Sequence, residues 1–123
     1  MKLLDHFTVC VALIALTVLV NPVQAADSAG MGAIAILAPT SDAVLQSGAE
    51  NKLEFNVKLS PRGNHLHIYI DNQDPIIERN VAHCPCSVAL PKLTPGKHVI
   101  VIKEATSGHA MTGVERSVTV TVK

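Results

Sequence analysis

Tryptophan is absent from this 123-residue chain, tyrosine occurs once and phenylalanine twice. With so few rings to stack on bases, ten basic residues balanced by ten acidic ones and no basic stripe, nucleic-acid binding has no support. The patterns that carry common chemistries are missing too. There is no G-x-S-x-G elbow, no glycine-rich phosphate loop and no H-E-x-x-H pair, so the chain does not read as an enzyme. Asp71, Asp74 and Glu78 lack EF-hand spacing and read as a solvated loop. No helical period runs through residues 26–123, and no internal repeat is present. Cysteine is scarce: Cys10, Cys84 and Cys86 are all there is.

What is present begins with an export pattern. Lys2 gives a thin basic start, diluted by Asp5 and His6, and an apolar run extends from Phe7 to Val20. Asn21-Pro22 breaks it, and Val23-Gln24-Ala25 supplies small residues for a signal peptidase. The run falls short of the roughly 20 residues a membrane span needs. Residues 1–25 are therefore expected to be a cleavable signal peptide, the alternative being a permanent N-terminal anchor. Cys10 would leave with the signal, and its surroundings are not those of a lipidation site. The mature protein would be periplasmic or secreted, without membrane contact. Cleavage after Ala25 leaves 98 residues with balanced charge, enough for one two-layer domain.

Residues 26–32 are Gly/Ala-rich and expected to form a flexible segment. From 33 to 123 short apolar runs alternate with turn chemistry: AIAIL (33–37), LEFNVKL (53–59), HLHIYI (65–70), a short strand near 76–79, SVAL (87–90), HVIVI (98–102) and SVTVTV (117–122). Leu53, Phe55, Val57 and Leu59 fall on one face and Lys52, Glu54, Asn56 and Lys58 on the other, the period of a half-buried strand. About seven strands in this length predict an all-β chain, an antiparallel sandwich of immunoglobulin type.

Three motifs carry a resemblance. Pro39, Ser41, Ala43, Val44, Ser47 and Gly48 form an opening P-x-S-x-A-V-x-x-S-G, close to P-x-S-x-A/G-x-V-x-S-G, Tyr69 and Asp71 form Y-x-D, and Leu93, Pro95, Gly96, His98, Ile100 and Ile102 follow L-x-P-G-x-H-x-I-x-V with Ile102 in the last place. Across residues 33–122 the chain resembles bacterial immunoglobulin-like modules of exported proteins. Its H-L-H is also similar to that of small periplasmic domains carrying several histidines. The resemblance implies a fold and its turns, not an activity. The A-H-C-P-C at 82–86 departs from the plain module.

The chemistry-bearing residues gather between 65 and 111. His65 and His67 alternate with Leu66, Ile68 and Ile70, so both imidazoles should project from one outer face, roughly 7 Å apart along the strand. His83 adjoins Cys84 and Cys86, and His109 and Met111 share a Gly-rich loop. In the expected topology the loops carrying these three groups meet at one end of the sandwich. Imidazole, thiolate and thioether are donors for copper or zinc rather than calcium or magnesium. The expected site is thus Cys84 and Cys86 as soft anchors, with His65, His67, His83, His109 and Met111 around them. Copper is the first choice of ion and zinc the second, and Met31 is a remoter candidate ligand. Such a protein would capture copper and hand it to a protein partner, acting as a monomer or weak dimer. Two alternatives stay open: a non-catalytic structural or protein-interaction module with incidental histidines, and a thiol redox protein using Cys84-Pro85-Cys86. An exported cysteine pair this close could also close a small ring or cross-link to a partner. His98, in step with Ile100 and Ile102, should be a buried structural histidine bonded to the preceding turn, apart from the site.

Overall fold

The computed structural model describes residues 31–123, so the expected signal peptide at 1–25 and most of the 26–32 segment lie outside it. Eight strands follow one another: β1 (Ala33–Ala38), β2 (Val44–Leu45), β3 (Lys52–Lys58), β4 (His65–Ile70), β5 (Ile76–Glu78), β6 (Cys86–Ala89), β7 (Gly96–Ala105) and β8 (Met111–Val122). They form two sheets, three-stranded β1-β3-β6 and five-stranded β2-β8-β7-β4-β5. No helix occurs among the described residues, and none is long and apolar enough to cross a membrane. The immunoglobulin-type sandwich expected from the alternating runs is what forms.

Alternation decides which way each strand faces. Leu53 and Phe55 of β3, Leu66, Ile68 and Ile70 of β4, Ile100 and Ile102 of β7, and Val118, Val120 and Val122 of β8 point between the sheets and are buried. Among the described residues the core is almost wholly aliphatic, with Phe55 its only aromatic ring. β-Branched side chains dominate it because they suit the pleated, half-buried surface of a strand.

Two features go beyond the expected plan. After Pro39 the chain crosses to the five-stranded sheet, where Val44 and Leu45 pair parallel with Thr121 and Val122, so the sandwich is not purely antiparallel. Two residues were too few for period-2 patterning to reveal this strand. In addition, β5 pairs with β4 rather than with β6, so the connection from Arg79 to Pro85 must pass from one sheet to the other.

One end of the sandwich is fastened by a buried carboxylate. Glu104 is in register with Leu66 and so faces inward, fully shielded from solvent. Its oxygens accept hydrogen bonds from the Ser60 backbone N–H (2.8 Å), the Ser60 hydroxyl and the Thr112 hydroxyl (2.7 Å). Burial works to raise its pKa, but these donors outweigh that and hold the carboxyl below its ordinary value. Gly63 makes room for it, since a Cβ there would overlap the carboxyl group.

Candidate metal centre

The long β7–β8 hairpin and the neighbouring strand β4 build the site. Opposite residues in an antiparallel ladder share a face, so His65, Ala105 and Met111 form one row across the outside of the sheet, and His67 and Lys103 sit in the next. The hairpin tip, residues 106–110, is closed by hydrogen bonds from Thr106 N–H to Ala110 O (2.8 Å), from His109 N–H to Thr106 O (2.9 Å) and from Ala110 N–H to Thr106 Oγ1 (3.1 Å). His109 takes a left-handed conformation there, with φ of 67°. The tip thereby brings the His109 ring against the two strand histidines.

The result is a tripod of nitrogens. His65 Nε2 lies 3.0 Å from His67 Nε2, and His109 Nδ1 lies 3.2 Å from each of them. Zinc–imidazole bonds are about 2.0–2.1 Å long, so an ion bonded to all three would sit about 1 Å off the plane of this triangle. A fourth position would face away from the histidines. The group His65, His67 and His109 is therefore able to hold a metal ion.

The remote ring nitrogens show how the donors are aimed. His65 Nδ1 lies 2.9 Å from the Asn64 side-chain oxygen, which only accepts, so this contact favours the tautomer with its proton on Nδ1 and the Nε2 lone pair toward the centre. His67 Nδ1 lies 3.3 Å from the Tyr69 hydroxyl, which accepts in the same way when Nε2 is a ligand. Oxygen partners of this kind are what fixes tautomer and ring orientation in histidine metal sites. His65 is fully buried and His67 is 6% exposed, whereas His109 is exposed. Burial first, then the charge of Arg79 and the neighbouring histidines, holds the His65 pKa below 6.5. Burial, then His109 and Arg79, does the same for His67. Both rings thus favour the neutral form that a metal requires.

The outer-face placement of His65 and His67 agrees with the period-2 reading, whereas the structure does not bring the proposed anchors Cys84 and Cys86 to these histidines. A disulfide joins the two cysteines, so neither sulfur is a thiolate donor. Cys86 stands opposite Phe55 in the three-stranded sheet, because the β5–β6 connection has carried it away from β4. Neither cysteine, nor exposed His83, belongs to the histidine group. Met111 lies in the His65 row two strands away, about 10 Å at ordinary strand spacing, and its side chain is exposed. Met31 is exposed beside Pro61 and Arg62, in a cleft apart from the tripod.

His98 is structural, as its phase with the core residues suggested. Nδ1 lies 2.5 Å from Asp71 Oδ2 and Nε2 lies 2.6 Å from Thr94 O, in the turn before β7. Acceptors at both nitrogens favour the protonated ring, and its pKa is raised above 6.5 first by the Asp71 hydrogen bond and then by Thr94. Asp71 is accordingly no loose member of a solvated loop. Burial acts to raise its pKa, but the bonds from His98 and from Val99 N–H (2.8 Å) pull it below 3.8. Asn64 and Arg79 were not singled out from the sequence, and Tyr69 entered only through the Y-x-D motif, not as a site residue. For Tyr69 the signal was there, since it is in phase with His65 and His67 along H-L-H-I-Y.

Comparison with known proteins speaks to the architecture. No family model matches the chain, and no curated protein matches it. Among solved structures it is similar to the fibronectin(III)-like modules of Clostridium thermocellum CbhA, with a TM-score of 0.58 and 21% identity, over 73% of this chain and 96% of that one. The fold is that of a fibronectin(III)-like sandwich. A second similarity, to the extracellular domain assigned to a one-component system of B. thetaiotaomicron, has a TM-score of 0.44 and 13% identity, over 68% of this chain and 12% of that one.

Proposed function

We propose that this chain is an exported, non-catalytic immunoglobulin-like module that carries a three-histidine site for a transition-metal ion. One observation supports the ion above all: three nitrogens on β4 and the β7–β8 tip converge within 3.2 Å, with an oxygen behind two of the rings. With protons on the remote nitrogens of His65 and His67, two lone pairs face each other at 3.0 Å, and a bound cation relieves their repulsion. Export is supported by the signal-like pattern at residues 1–25.

Imidazole is a ligand for both zinc and copper, so three histidines alone do not choose between them. Copper capture and hand-over to a partner is the finer reading, with Met111, in the same cross-strand row as His65, as its candidate thioether. Titration of zinc and Cu(I) against a chromophoric chelator tests both levels. One ion per chain, lost in His109→Ala, supports the site; Cu(I) affinity that falls in Met111→Leu while zinc affinity does not supports copper. No competition with the chelator for either ion refutes the site.

The similarity to fibronectin(III)-like modules favours a second reading, a structural or protein-interaction module without an ion. Loss of all three histidines with no change in metal content or stability would favour it.

A further inference from the structure

The sheet face around the tripod is unusual in its charge. Three neutral imidazoles leave the charge of a divalent ion uncompensated, and no aspartate or glutamate joins the histidine group among the described residues. Glu104 faces the sandwich interior, and Glu78 Oε1 is taken by the Asn80 backbone N–H at 2.6 Å. The nearby cations add to the imbalance. Lys103, beside His67, is engaged, lying 3.8 Å from Glu115 and 5.4 Å from the centre of the Tyr69 ring.

Arg79 is different. In the β4–β5 ladder Leu66 faces Glu78 and His67 faces Ile77. Arg79 directly follows the last paired residue, and continuing the register by one step would set it opposite His65, on the face that carries the histidines. It is exposed and has no salt bridge or side-chain hydrogen bond among the described residues. A guanidinium without a salt bridge among the described residues thus stands, by register, beside a three-nitrogen site that would leave an ion a further coordination position and uncompensated charge.

We infer that the loaded site takes an oxyanion, a carboxylate or phosphate, with one oxygen on the metal and a second in the Arg79 fork. This rests on the metal reading above and extends it from an ion site to an ion-plus-anion site. The planar fork of arginine matches two oxygens at once, which lysine cannot do. Cross-strand neighbours with Cβ atoms about 4.5–5.5 Å apart leave room for one small anion to bridge them.

The test uses Co(II), whose visible absorption reports a change of ligand, bound to the full chain. Acetate, inorganic phosphate and chloride are titrated separately into wild type, Arg79→Gln and Arg79→Lys. Acetate or phosphate should change the wild-type spectrum, with affinity at least about tenfold lower in both variants. Whichever of the two binds more tightly identifies the class of anion. Chloride, a single atom with no second acceptor for the fork, should lose no affinity in Arg79→Lys. Co(II) binding itself should survive both substitutions. Oxyanion affinity equal in wild type and Arg79→Lys overturns the clamp while leaving the metal site standing. Absence of any Co(II) spectrum removes the metal site, and the clamp with it.

Discussion

Single side chains here do work that their neighbours make possible. Asn64 touches no ion, yet its oxygen sets the proton on His65 Nδ1 and aims Nε2. Asn64→Ala should therefore weaken metal binding by about 10–100-fold while leaving one ion per chain at saturation, as chelator competition would read. The Asp71–His98 pair gives a pH prediction. His98 has a raised folded pKa, so its contribution is complete below 6.5 and is lost as pH rises through that raised value. Asp71 has a lowered one, so its contribution is complete above 3.8 and is lost as pH falls through the lowered value. The stability difference between wild type and Asp71→Asn should thus be largest between these two ordinary values, about 1.5–3 kcal/mol, and shrink on either side. Denaturant melts across pH check this; a difference that keeps growing above neutrality contradicts it. The structural role of His98 could be read from its phase with Ile100 and Ile102, whereas its acid partner, 27 residues away, could not.

At the scale of elements, the β3–β4 turn, the start of β8 and the end of β7 are joined through Glu104. Glu104→Ala should cost about 2–4 kcal/mol, because the Ser60 and Thr112 donors lose a buried acceptor. Gly63→Ala should also destabilise, by about 1–3 kcal/mol, by pressing a methyl group into the same carboxylate. Urea denaturation of both variants measures these costs. Near-neutral results would mean the carboxylate has an alternative resting place. The position of Glu104 was legible, since in H-V-I-V-I-K-E it keeps step with inward-facing Ile100 and Ile102. Strand positions were legible for the same reason: burial of one face imposes period 2 on β3, β4, β7 and β8. Sheet assignment was not. Which neighbour β5 selects depends on cross-strand pairing, and that choice separates Cys84 and Cys86 from the histidines. The hairpin tip was half legible: S-G-H-A marks a turn, but the left-handed backbone that brings His109 onto β4 is a property of the folded hairpin.

For the whole molecule, an ion at the tripod would tie the β7–β8 tip to β4 and bind only the folded chain. At 100 times its dissociation constant such a ligand adds about 2.7 kcal/mol. For a domain of this size that corresponds to a rise in Tm of roughly 10–20 °C, measurable by calorimetry with and without metal. A fibronectin(III)-like fold does not by itself specify a function, so metal chemistry in this molecule would rest on the outer-face histidines.

The most direct measurement is the metal content of the purified protein by elemental analysis, beside His65→Ala/His67→Ala/His109→Ala and Cys84→Ser/Cys86→Ser. One ion per chain in the wild type and the cysteine variant, and none in the histidine variant, is the predicted result. Metal that survives removal of the three histidines, or disappears with the two cysteines alone, would contradict the three-histidine site.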